Sequence, residues 1–229
     1  MITRLLFLLI LAWHLPLGLS AEPEGQSKVV VCSFLHWDNN PNEKLFFRMG
    51  EEYHPIEFKR RERAGKISLK RMADFEVFRE VENPVEGELP YEFLASAPVP
   101  EHINDALFLI IAAAKDKGGG YRVVTINDST TAFPGTAFLF VNLLNKPMTV
   151  NFAGGSQDVE PFKTSVMRSK IGPKGGFVPF IVTNGEGKKI CENRLYSQFT
   201  TRKIVLIGQP REKGGLPEVK FVNQLLAQK

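Results

Sequence analysis

Few of the residue types that do chemistry stand close together in this chain. Beyond residue 21, histidine occurs only at His36, His54 and His102. The best local group is Cys32, His36 and Asp38, because residues two apart on a strand share a face. A thiolate, an imidazole and a carboxylate can together hold a metal ion. Their spacing matches no strong zinc pattern, however, and Asp38 belongs to a polar turn. We therefore expect neither a metal nor a cofactor.

The chain also lacks a local signature of hydrolytic catalysis. No Gly-x-Ser-x-Gly elbow occurs, and residues 154–158, Gly-Gly-Ser-Gln-Asp, are typical of a flexible loop between strands. Ser129 lies in a polar loop with no histidine nearby in sequence. Acidic residues are numerous but dispersed, so no pair suited to glycoside hydrolysis stands out. We expect no catalytic residue. The alternative is a hydrolase of envelope glycan whose carboxylates meet only on folding.

The glycine-rich stretches at residues 117–120 and 174–176 are interpreted as turns. Phosphate loops place glycines between a strand and the N-terminus of a helix, and neither stretch has that setting.

Residues 59–71 form the most unusual charged segment of the chain, with Glu62 as its only acid. Such a run can attract an anionic polysaccharide, lipid headgroups or an acidic protein. The alternative is a solvated loop followed by the outer face of a strand, where lysines discourage edge-to-edge pairing. The sequence predicts that this run forms a face for an anionic partner. The basic residues of this face are Lys59, Arg60, Arg61, Arg63, Lys66, Lys70 and Arg71.

Aromatic side chains make glycan binding a further alternative function. Trp37, Tyr53, Tyr91, Tyr121 and Tyr196 could in part supply a platform on which sugar rings stack. Trp37 follows a strand in a polar turn, and it is the member expected to be exposed. The tyrosines lie in strand patterns, which favours core or boundary positions for them.

The two cysteines, Cys32 and Cys191, allow one disulfide. An even, small count in an oxidising compartment favours a bridge, which would tie the first strand to a late one. The alternative is two separate buried thiols, because free cysteine is often buried.

The N-terminus predicts export. Arg4 gives a positive start, residues 5–13 are an unbroken apolar run, and Pro16 and Gly18 precede Ala21. This is the pattern of a secretory signal peptide spanning residues 1–21. The alternative, a membrane anchor, needs about 20 apolar residues. Export to the periplasm or cell surface makes nucleic acid an unexpected partner, and the remaining chain has 28 basic against 25 acidic residues.

Residues 121–152 predict the architecture. They contain three strand-like runs separated by Pro134-Gly135 and by Asn145-Lys146-Pro147. Strands joined this tightly predict an antiparallel meander. Residues 107–114, Leu-Phe-Leu-Ile-Ile-Ala-Ala-Ala, are interpreted as a buried strand that forms a hairpin with the run at 121, a helix being the alternative.

The whole of residues 22–229 shows twelve to fourteen such runs, with turn residues every 8–15 positions. This pattern predicts an all-β antiparallel sandwich, immunoglobulin-like or jelly-roll-like. One sandwich domain is expected, with a division into two lobes near residues 115–120 as the alternative.

The chain resembles a group of exported bacterial all-β proteins of unassigned activity over residues 121–155, with a Phe-Pro-Gly turn at 133–135 between strand-like runs, and over residues 195–210. The resemblance covers about half of the chain that follows the signal. It implies a bacterial, exported β-sandwich and carries over no catalytic or binding residue.

The sequence thus predicts an exported envelope protein that acts by binding or structural assembly, without catalysis. Another envelope protein is the expected partner, because sandwiches commonly present loops or an edge strand to partners. An anionic glycan and the membrane surface are the alternative partners.

Overall fold

A computed structural model describes residues 29–37, 44–58, 63–84, 87, 89–112, 120–153, 155–172, 174–210 and 215–226. Within these ranges the protein has sixteen β-strands and no helix. The all-β sandwich prediction is confirmed, although the strands outnumber the expected twelve to fourteen. No helix in the described ranges is long and apolar enough to cross a membrane.

The strands fall into two lobes of eight. Those of the first lobe are β1 (Val29–His36), β2 (Leu45–Met49), β3 (Glu52–Pro55), β4 (Ile67–Lys70), β5 (Asp74–Glu80), β6 (Tyr91–Pro98), β7 (Asp105–Ala112) and β8 (Tyr121–Asn127). Those of the second lobe are β9 (Ala137–Asn142), β10 (Met148–Phe152), β11 (Gly155–Val159), β12 (Thr164–Arg168), β13 (Gly176–Asn184), β14 (Lys189–Ser197), β15 (Thr201–Gly208) and β16 (Glu218–Leu225).

Each lobe is a sandwich of two four-stranded sheets. The first outer sheet has the order β3-β2-β5-β6, and the first inner sheet has β4-β1-β7-β8. The second inner sheet has the order β12-β9-β15-β16, and the second outer sheet has β11-β10-β13-β14. Most neighbours are antiparallel, but each inner sheet contains one parallel pair, β1 with β7 and β9 with β15.

The two lobes repeat one topology. Adding eight to every strand number of the first lobe reproduces both sheet orders of the second lobe. The parallel pairs correspond, and β5–β6 and β13–β14 each contain a register shift, at Val77/Phe78 and Val182/Thr183. The sequence shows no strict repeat and only a loose echo between its halves, because the equivalent strands share burial and pairing while their residues differ.

The four sheets are stacked as layers, and a hydrophobic cluster lies between each pair of neighbours. One cluster joins the two sheets of the first lobe, around Phe34, Phe75 and Phe108. Another joins those of the second lobe, around Phe140 and Phe180. A third joins the two inner sheets to each other, and it contains Leu35, Leu107, Leu109, Leu139, Val141, Ile204 and Leu206.

The inner sheets are therefore covered on both faces. This explains the continuous apolar runs of β1, β7, β9 and β15, since a strand buried on both sides has no polar face. The strand predicted from residue 107 is confirmed, as is its antiparallel pairing with the strand from residue 121. β13 and β14 form a hairpin about Asn184-Gly185, where Asn184 N donates to Lys188 O at 2.9 Å.

The predicted meander over residues 121–152 is wrong. Its three strands, β8, β9 and β10, lie in three different sheets. Proline and glycine turn the chain, but here they carry it from one layer to the next. Asn142 stabilises the connection between β9 and β10, where the chain passes from one sheet to the next. Its Nδ2 donates to Lys146 O at 2.9 Å and to Val159 O at 2.8 Å.

The interpretation of residues 154–158 as a flexible loop is also wrong, because Gly155–Val159 is strand β11. It pairs with β10 at the edge of the second outer sheet, and four of its five residues are exposed, which accounts for its polar sequence. Residues 115–119, where a lobe division was weighed, lie outside the described ranges. The strands on either side of them, β7 and β8, pair in one sheet, and the sheets change between β8 and β9.

Candidate functional site

A buried cluster of charges lies at one end of the junction between the inner sheets. Asp128, directly after β8, has no exposed surface. Arg63 pairs with both oxygens of its carboxylate, and Arg63 also donates to Gln224 Oε1 at 2.6 Å and to Ser33 Oγ. Because Gln224 belongs to β16, these contacts join the lobes. The sequence does not single out Asp128 as a site residue, because its polar neighbours are typical of an exposed loop.

Arg202 completes this cluster from the second lobe. Its Nη1 donates to Asp128 O at 2.9 Å and Phe133 O at 2.6 Å, and its Nη2 lies 3.3 Å from Asp128 Oδ1. The guanidinium also lies 4.7 Å from the centre of the Phe133 ring. Burial lowers the pKa of Arg202, and the adjacent Asp128 carboxylate opposes that shift. The cluster thus has the contacts of a structural ion pair between the lobes more than those of a reaction centre. We call this cluster the ionic latch.

Trp37 lies at the opposite end of the junction between the inner sheets. The prediction that its side chain is exposed is wrong. It is 8% exposed and belongs to the cluster between the inner sheets. Lys220 Nζ lies 4.0 Å from the centre of its ring and donates to Trp37 O at 2.6 Å. A Cβ added at Gly208 would overlap Cζ2 of the Trp37 ring, so β15 needs glycine here.

The basic run is largely engaged within the molecule. Beside the buried Arg63, Lys66 pairs with Asp105 at 2.5 Å, and Arg71 donates to Ile103 O at 3.0 Å and to Asn104 Oδ1. Lys70 is exposed on β4. Lys59, Arg60 and Arg61 lie outside the described ranges. Of the described cations in this run, Arg63, Lys66 and Arg71 therefore make contacts within the fold, and Lys70 is exposed.

The predicted Cys32–Cys191 disulfide is wrong, because both cysteines are free. Cys32 faces the first outer sheet from β1, whereas Cys191 lies on β14 and packs against the core of the second lobe. The stacked inner sheets separate the two positions. Burial raises the pKa of the Cys32 thiol to about 12 and also raises that of Cys191.

Cys32 and His36 share a face of β1, as expected from their spacing. His36 is 3% exposed, and its ring lies 5.2 Å from that of Phe58. Asp38 lies outside the described ranges, within which no group of three metal-ligating side chains occurs. Ser129 Oγ accepts a hydrogen bond from Ala132 N at 3.2 Å, so it serves the turn after β8.

The outer face of the first outer sheet carries a cluster of aromatic side chains. The rings of Tyr53 and Tyr91 are stacked 4.0 Å apart, and Phe78 packs edge-on to Tyr53 at 5.0 Å. Phe46 lies 5.2 Å from Tyr91, and Phe93 lies 5.7 Å from Phe78. Phe93 is 53% exposed, so the cluster reaches the solvent. We call these five residues the aromatic face.

The second lobe provides an internal comparison for the aromatic face. Aligning the lobes on their shared register shift places Phe46 and Phe78 opposite Thr149 and Thr183. The same alignment sets Tyr53 against Ser156 and Phe93 against Lys189. One fold thus supports aromatic residues at these positions in one lobe and polar residues in the other, so the fold does not require the aromatic face.

No protein-family model matches the chain, and no curated protein matches it. Among solved structures, the two consecutive C2 domains of extended synaptotagmin 2 align with 99% of this chain and 100% of that chain. The identity is 12% and the TM-score is 0.22. A likeness at this level does not bear on fold or function.

Proposed function

We propose that the protein is an exported bacterial envelope protein that acts without catalysis, by binding another envelope protein through the aromatic face. The observation that carries this proposal is the contrast between the lobes. Thr149, Thr183 and Lys189 occupy the second-lobe equivalents of aromatic positions in the first lobe. Phe93 is exposed, Tyr53 and Tyr91 are half-buried, and Phe46 and Phe78 are buried. Aromatic side chains that reach the surface are enriched in protein interfaces.

The surroundings of the aromatic face fit a protein partner. Arg48 lies 5.6 Å from the centre of the Phe78 ring and pairs with Glu76 at 2.6 Å. An apolar centre with charged groups of both signs at its rim is the usual anatomy of an interface. The balanced rim favours a partner with no strong net charge over an anionic glycan or a membrane.

Export is the part of this proposal that rests on residues 1–21, whose apolar run and small-residue end support cleavage near Ala21. N-terminal sequencing of the protein from the native envelope fraction should then begin near Glu22. Retention of Met1 would refute processing.

Co-purification from native envelope tests the binding itself. Phe93→Lys gives the first lobe the residue that stands at the equivalent position of the second, so the fold should tolerate it. We expect this variant to lose the partner and to keep the thermal midpoint of the wild type. Lys189→Ala is the matched control and should recover the partner normally. Equal partner recovery by Phe93→Lys and wild type would count against the aromatic face.

A further inference from the structure

The second outer sheet has a depression on its outer face, at the opposite end of the stack from the aromatic face. It is shallow and open to solvent, with a volume of about 820 Å³. The apolar side chains of its floor, Pro179 and Ile181, come from β13. Glu192 and Arg194 border it from β14, and Asn151 and Ser156 border it from β10 and β11.

Strand register places these side chains in rows across the sheet. Ser156 pairs with Asn151, Asn151 with Ile181, and Ile181 with Glu192, so one row spans all four strands. Pro179 pairs with Arg194 in a second row. The depression is thus an apolar strip along β13 with hydrogen-bonding groups on both sides.

Exposed aromatic rings continue the apolar strip. Phe177 is 59% exposed and pairs with Tyr196, which is 45% exposed, with 5.4 Å between the ring centres. Arg194 lies 5.3 Å from the centre of the Phe177 ring. From Phe177 to Ile181 the strip is roughly 13 Å long. The first lobe has Asp74 and Glu76 at the equivalents of Pro179 and Ile181, so this strip is also not required by the fold.

From this arrangement we propose that the depression binds an uncharged oligosaccharide. Sugar rings offer an apolar C–H face that packs on aromatic and aliphatic surface, and hydroxyl groups that pair with amide, carboxylate and guanidinium groups. Glu192 is the one acid of the lining and Arg194 its one base, and Glu192 already pairs with Lys189 at 2.7 Å. The lining thus presents no cluster of cations that would hold an anionic polysaccharide, and its apolar strip with flanking polar groups suits a neutral one.

A peptide strand fits this surface less well. Extended peptides bind by adding to a sheet edge, where backbone groups pair. The depression lies on a face, where its lining presents side chains from strands already paired with their neighbours. This site is separate from the aromatic face, and it would let one molecule hold a protein at one end and a glycan at the other.

The test is native affinity electrophoresis of the mature chain in gels containing hydroxyethylcellulose, glucomannan, xylan, dextran or glycol chitin, with polygalacturonate as the anionic comparison. We expect at least one neutral polysaccharide to retard the protein. Phe177→Ala and Ile181→Glu should each weaken binding roughly tenfold, the loss typical of removing a central contact. Phe177→Tyr keeps the ring and should retain binding.

Phe93→Ala on the opposite outer sheet is the matched control and should not change the retardation. Circular dichroism of each variant establishes that the fold is kept. Three outcomes would overturn the proposal: no retardation by any neutral polysaccharide, retardation by polygalacturonate alone, or unchanged retardation in both Phe177→Ala and Ile181→Glu. A failure here leaves the Phe93→Lys experiment unaffected, because the two faces lie on different lobes.

Discussion

At the scale of single residues, Asp128 has the largest expected effect on stability. Its carboxylate is the anion between Arg63 and Arg202, and removing one partner of a buried ion pair typically costs about 3–5 kcal/mol. We expect Asp128→Asn to lower the free energy of unfolding by about that amount, measured by urea denaturation.

A surface pair provides the control for this prediction. Arg79 and Glu92 are about half exposed, and Arg79→Ala should change the free energy of unfolding by less than about 1 kcal/mol. In the double variant Asp128→Asn, Arg202→Met the losses should be less than additive, because the second change removes a buried charge that the first left unpaired. Additive losses would show that the ionic latch is not a coupled unit.

Cys32 predicts a loss of stability in alkali. The folded chain keeps its thiol protonated up to pH about 12, whereas an unfolded thiol releases its proton above about 8.5. Between these values the unfolded state binds fewer protons, so the free energy of unfolding falls as pH rises. Urea midpoints measured from pH 8 to pH 10.5 should fall less steeply for Cys32→Ala than for wild type. Parallel curves would contradict the assignment.

At the scale of secondary-structure elements, the spacing between β15 and Trp37 depends on Gly208. Gly208→Ala would push a methyl group into the indole ring, and such overpacking typically costs about 1–3 kcal/mol. We expect a lower thermal midpoint and a shifted emission spectrum, because Trp37 is the only tryptophan after residue 21.

Gly185→Ala is the control, since its added Cβ would meet Pro147 Cγ at an ordinary 3.5 Å. If both variants melted with the wild type and kept its emission spectrum, the close packing of β15 on Trp37 would be refuted.

The strands themselves were mostly predictable, because apolar runs and turn residues are local signals. β11 was missed because an edge strand with an exposed surface carries the same polar residues as a loop. The meander failed for a different reason. A turn at Pro134-Gly135 can return the chain to the same sheet or carry it to another sheet. Only the packing of β9 between two layers decides between these two paths.

The candidate sites were less predictable, since they depend on contacts between distant residues. Asp128 lies 65 positions from Arg63 and 74 from Arg202. Tyr53 and Tyr91 are half-buried, as their strand patterns predict, but nothing local shows that they pack with Phe78 on one side of the sheet. The exposure predicted for Trp37 was wrong because Lys220 and Gly208 of the second lobe pack against its ring.

At the scale of the whole molecule, the two lobes should unfold as one cooperative unit. The apolar faces of the two inner sheets are buried against each other, with contacts across the junction at both ends and between Arg122 and Phe162 at 3.8 Å. Scanning calorimetry of residues 22–229 should show one transition, with equal calorimetric and van't Hoff enthalpies. Two resolved transitions would mean that the lobes are independent.

The repeated topology has a consequence for either lobe taken alone. A protein made of one such lobe would expose the apolar face of its inner sheet, which in this chain is buried against the other lobe. Because that face is covered within one chain, the two copies of the topology can carry different residues at equivalent places: β7 begins with Asp105, whereas β15 has Arg202 near its start.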